Sequence, residues 1–154
     1  MLKNLVNFFF LIFLSCNNND NTTWDEAQKY YNQKDYNKSV VLLQSIVQNE
    51  QSNKIIDSKY LLAEIFLNVY EEYDIAISFY NDIINNYSYH ELAKKSLFTL
   101  AYVYGNYLDS YNDAFDKYSM FLNKYPQDEL IPSVKYEIEI LNDRIEEANK
   151  LIIN

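Results

Sequence analysis

The stretch FTLAYVYGNYLDSYNDAFDKY, residues 98–118, decides the fold, because it carries two motifs in series that recur upstream. The first is an aromatic residue, an alanine three positions on and an aromatic three further: Phe98-Ala101-Tyr104, matched by Tyr60-Ala63-Phe66 and Trp24-Ala27-Tyr30. The second is a tyrosine, a small residue three on and an apolar residue four further: Tyr111-Ala114-Tyr118, matched by Tyr73-Ala76-Tyr80 and Tyr36-Ser39-Leu43. The copies of each motif are separated by 36 to 38 residues. Two motifs recurring in step at that period mean stacked helix pairs, each burying its apolar face against its neighbour. The expected fold is all-α, a short solenoid of about three helix pairs at about 23–52, 54–88 and 90–126.

Local signals agree. One Gly and two Pro in 154 residues leave few sites for tight hairpins. Thr23 with Glu26 reads as a capping box opening the first helix, and Asn37, Asp74 and Asn112 stand where the second helices should be N-capped. Ile75, Phe79, Ile83 and Ile84 recur at the spacing of one helical face, as do Phe115, Tyr118, Phe121 and Leu122. Ala63, Ala76, Ala101 and Ala114 are expected where paired helices approach closely, since a larger side chain there would cost about 1–3 kcal/mol of overpacking. Pro126 ends the helix that closes at Tyr125.

Beyond it, Val134, Ile138, Leu141, Ile145, Ala148 and Ile152 form one apolar stripe behind Pro132, predicting a long helix within 128–154 that caps the stack. The rival reading is oligomerisation through that stripe as a coiled-coil seam. Fewer than three full heptads and poor e/g charge complementarity favour the cap.

These residues resemble the tetratricopeptide repeat family. Ala63 and Ala101 take its first small position, Ala76 and Ala114 the second, Tyr80 and Tyr118 its second-helix aromatic, and Pro126 its closing proline. Ser39 replaces the alanine of the first repeat, Gln51 lies near its expected proline and Ser88 replaces the proline of the second. The resemblance implies a right-handed solenoid whose first helices line a concave groove for an extended peptide or a partner's helix. Carried over by register, the groove positions are Gln28, Tyr31 and Asn32, then Glu64, Leu67 and Asn68, then Tyr102, Gly105 and Asn106. The recurring Asn32, Asn68 and Asn106 could hydrogen-bond an extended backbone; helix ends also favour Asn. Segments such as AFDKYSMFLNKYP, 114–126, are similar to exported repeat lipoproteins of the BamD and YbgF/CpoB kind. That likeness implies a scaffold in outer-membrane protein assembly, or else an envelope-organising, peptidoglycan- or division-associated factor.

The N-terminus addresses location. Lys3 precedes Leu5, Val6 and the run Phe8 to Leu14, an apolar segment too short to span a bilayer as a helix. Phe13-Leu14-Ser15-Cys16 resembles a bacterial lipoprotein signal, which implies removal of residues 1–15, a diacylglycerol on Cys16 and a polar tether over 16–22. An ordinary secretory signal with a coincidental cysteine is the alternative. Asn17 is not the Asp that in some bacteria retains lipoproteins at the inner membrane, so the expectation is an outer-membrane anchor facing the periplasm.

Composition removes several functions. The chain carries 13 basic and 22 acidic residues, net −9, so it lacks the basic face that nucleic acid requires. The expected groove offers no basic residue for a carboxylate clamp, and an acidic surface with sixteen Tyr suits a protein partner with a basic or aromatic-binding face. One histidine, His90, and one cysteine, with no Gly-rich phosphate loop, zinc-helix or nucleophile-elbow motif, argue against an enzyme, a metal or a cofactor. His90 reads as a helix cap, and pairs such as Glu71-Glu72 read as acidic surface.

Overall fold

The computed structural model describes residues 19–152, and side chains through Lys150. The described chain is all-α: α1 (residues 19–32), α2 (Tyr36–Val47), α3 (Ile55–Asn68), α4 (Tyr73–Asn86), α5 (Glu91–Asn106), α6 (Tyr111–Lys124) and α7 (Ile131–Ile152). Adjacent helices pack pairwise, α2 on α3, α5 on α6 and α6 on α7. By its contacts the chain divides into two units, one ending at Phe79 and the other beginning at Tyr80, inside α4. Residues 1–18, with the expected signal and Cys16, lie outside the described residues.

All the motif alanines, Ala27, Ala63, Ala76, Ala101 and Ala114, have no exposed surface. The serine that departs from the pattern is equally buried, and its Oγ donates to the carbonyl of Ala27 at 2.9 Å. That bond satisfies a hydroxyl which would otherwise cost about 1–3 kcal/mol to bury. In the first unit Ala27, Val40, Leu43, Leu62 and Ile65 form the core, joining α1, α2 and α3. In the second, Phe98 meets Tyr118 and Phe121 edge-on at 5.7 and 6.2 Å.

A feature the motifs did not predict is how each pair turns. Lys34, Glu71 and Asp109 hold the left-handed conformation, with φ of 62°, 56° and 49°. The next residue along, Asp35, Glu72 or Ser110, then donates its N–H to the carbonyl of the repeat aromatic, Tyr30, Phe66 or Tyr104, at 2.8–2.9 Å. In the first repeat a second bond from Lys34 N–H to Tyr31 completes a Schellman closure. The other two turns are one residue longer, so the closing N–H reaches back six residues instead of five, and that extra residue lengthens the period.

Several helix starts differ from expectation. Residues 19–22, expected as tether, are helical, and Thr23 sits inside α1. Its hydroxyl and that of Thr22 donate back to the carbonyl of Asn19, so Thr23 is no N-cap. The second helices also begin earlier: Asp35 caps α2 through its carboxylate and Ser110 occupies the cap of α6, placing Asn37 and Asn112 in first turns, with Asp74 likewise inside α4. Ile75, counted on the apolar face, is 39% exposed. The terminal helix runs as expected, with Val134 and Leu141 buried where α7 packs on α6. Ile152's side chain lies outside the described ones.

Candidate functional site

The expected groove positions divide by what surrounds them. In the first unit Gln28 and Asn32 are exposed and Tyr31 is half-buried, edge-on to Tyr36 at 5.6 Å. Leu67 is buried, because its position on α3 turns into the core, so it is withdrawn from the surface. Glu64 is half-buried, and the amide of Asn68 donates to its backbone carbonyl at 3.0 Å.

In the second unit Tyr102 is exposed and lies edge-on to Tyr107 at 6.0 Å. Gly105 is buried, where a Cβ would meet Leu141 Cδ2 at 3.2 Å and Ala114 Cβ at 3.3 Å. It belongs to the packing of α5 against α6 and α7, which explains the chain's single glycine. Asn106 donates to the carbonyl of Tyr102 at 3.2 Å, and its own carbonyl oxygen accepts from Arg144 at 3.3 Å. Asn68 and Asn106 are thus the last residues of α3 and α5, and each bonds back to the carbonyl four residues earlier in its own helix. Each amide keeps a second N–H beyond the one that carbonyl takes.

His90 caps α5, its Nδ1 accepting from the N–H of Leu92 at 3.2 Å. It borders a cleft of about 500 Å³ that also includes Lys94, Tyr125 and Asp128. There Lys94 and Asp128 pair at 2.6 Å, and the ammonium, together with the Leu130 N–H, holds the Asp128 carboxyl below its ordinary range. The Tyr118 phenol is buried without a hydrogen-bond partner, and that burial pushes it up.

Sequence reasoning missed a groove of about 380 Å³ between α1 and α2, lined by Glu26, Tyr30, Asn37, Lys38, Val41 and Leu42. Val41 is 65% exposed. Lys38 is tied to Asp35 at 2.6 Å and lies over the Tyr30 ring at 5.0 Å. The signal was present in the repeat register, where Glu26 stands opposite Leu62 and Leu100.

These surfaces offer apolar contact, aromatic edges and hydrogen bonds. Among the described residues no group of three or more His, Cys, Asp or Glu is placed to hold a metal, and no helix is long and apolar enough to cross a membrane. Compared with known proteins, the chain matches no family model and no curated protein.

Proposed function

We propose that this chain is a lipid-anchored protein-interaction scaffold of the tetratricopeptide type in a bacterial envelope, held at the outer membrane through Cys16 and facing the periplasm. The observation that carries the reading is the coincidence of motif and closure. The same three aromatics that mark the sequence repeat, Tyr30, Phe66 and Tyr104, receive the turn-closing N–H in all three helix pairs. Repeated pairs of this kind present helix faces in series, and their usual work is to hold other proteins. Exposed Gln28, Asn32 and Tyr102 supply contact chemistry that suits a polypeptide partner. The narrower proposal is service in outer-membrane protein assembly, with envelope organisation as the second reading.

Crosslinking in intact cells followed by recovery of the membrane fraction tests it. Specific adducts from the wild type that vanish in Cys16→Ala support an anchored scaffold. Identical adducts from a soluble Cys16→Ala protein would remove the anchor from the function, and adducts from neither would remove the scaffold.

A further inference from the structure

Repeat register shows that the groove between α1 and α2 repeats a helix seat found within the same unit. Counting from the shared motifs, Glu26, Tyr30 and Leu42 of the first repeat correspond to Leu62, Phe66 and Phe79 of the second. Leu62 shares its core cluster with Val40 and Leu43 of α2, and Phe66 and Phe79 stack at 6.2 Å and pack against the same cluster. Leu62 and Ile65 of α3 therefore form the surface on which α2 rests, α2 presenting Val40 and Leu43, two apolar residues three apart, with Phe66 and Phe79 packed around the same cluster. In the first repeat the positions of Leu62, Phe66 and Phe79 all line the open groove of about 380 Å³.

The one change of character is Glu26 where the second repeat has a fully buried leucine. A solvent-facing end repeat needs some polar substitution. Leu42 packs against the core beneath it, but neither that packing nor solubility explains a Val41 that is 65% exposed beside Tyr30. Lys38, the groove's cation, already pairs with Asp35, which leaves Glu26 the acidic residue of the lining. The geometry points to a binding site for an amphipathic helix of a partner protein. That helix would lay two apolar residues, three or four apart, on Tyr30, Val41 and Leu42, and set a Lys or Arg against Glu26. Its mode is helix-in-groove, with the charge fixing orientation more than strength.

This inference rests on the scaffold reading but uses neither the anchor nor the first-helix groove, so the two can fail separately. The test places p-benzoylphenylalanine at Val41, and separately at Tyr102, in the full-length chain in its host cells. Each adduct is mapped by mass spectrometry, and the segment caught at Val41 is synthesised as a peptide and titrated against the purified full-length protein. The expected adduct at Val41 is a foreign chain, crosslinked within a segment of that pattern. Its peptide should bind at least tenfold more weakly to Glu26→Lys and, with milder loss, to Glu26→Gln, both checked as folded by circular dichroism. An adduct to a second copy, to residues upstream in the same chain, to lipid or to nothing overturns the inference, as does an affinity indifferent to both variants. Adducts at Tyr102 alone overturn it while sparing the scaffold; none at either position removes both.

Discussion

Arg144 of α7 donates to the backbone carbonyl of Gly105 near the end of α5 at 2.9 Å, and its guanidinium lies 5.7 Å from the Tyr111 ring centroid. The last carbonyls of a helix lack intrahelical donors and carry its negative dipole end, so a cation delivered there from another helix fastens the two. Arg144→Ala should cost about 1.5–3 kcal/mol, the range for a hydrogen bond to a charged group. Hydrogen exchange should show α7 amides losing protection before those of α6. Equal loss along both helices would contradict a fastening role.

Beneath that bond, a methyl on Gly105 would fit only by pushing its neighbours back a few tenths of an ångström. A Cβ would lie 3.3 Å from the Ala114 Cβ, an atom its own helix holds in place. Overpacking of about 1–3 kcal/mol outweighs a helix-propensity gain of at most about 1 kcal/mol near a helix end. Gly105→Ala should therefore lower stability in urea titration by about 1 kcal/mol, and Gly105→Leu should prevent folding of the second unit.

Three non-glycine residues adopt positive φ at the intra-pair turns, each carrying a steric cost of about 1–2 kcal/mol. Asp109 also accepts from the Tyr111 hydroxyl at 2.9 Å, so its replacement would mix two effects. Glu71→Gly is the cleaner change and should stabilise by about 0.5–1 kcal/mol after the extra freedom glycine gains on unfolding. Thermal unfolding reads this directly, and a lowered midpoint would refute the strain assignment.

Ser39 makes the first repeat's departure from alanine self-consistent. Ser39→Ala should cost about 0.5–1.5 kcal/mol for its lost bond to Ala27. The urea midpoint of Ser39→Ala should fall accordingly, and an unchanged midpoint would contradict a stabilising bond.

The Lys94–Asp128 pair sets an acid sensitivity. Asp128's carboxyl is held below its ordinary range in the folded state, so the pair's contribution is complete above the unfolded value of about 4 and is lost as pH falls through the lower folded one. Melting temperature should fall between pH 5 and 3 by less in Asp128→Asn than in the wild type. The amide retains an acceptor for the Leu130 N–H but has no charge to lose.

The sequence motifs were sufficient for the helix pairs because burial of Ala63, Ala76, Ala101 and Ala114 is a local demand, visible as period and residue size. Helix starts were less legible. Asp35 caps α2 and Ser110 occupies the cap position of α6 within turns whose geometry depends on a left-handed residue, and Lys34, Glu71 and Asp109 share no side-chain chemistry that would announce one. Groove positions failed where long-range packing overrode register. Leu67 turned into the core, and Gly105 is enclosed by Leu141, 36 positions away along the chain. The α1–α2 groove escaped notice because Glu26 reads as ordinary acidic surface until Leu62 is seen to seat α2.

The most direct test of the anchored scaffold is the intact mass of the protein extracted from its host's membranes. The reading requires a chain beginning at Cys16 and heavier than the polypeptide by a diacylglyceryl group. A chain retaining residues 1–15, or one cleaved elsewhere with an unmodified Cys16 thiol, would contradict it.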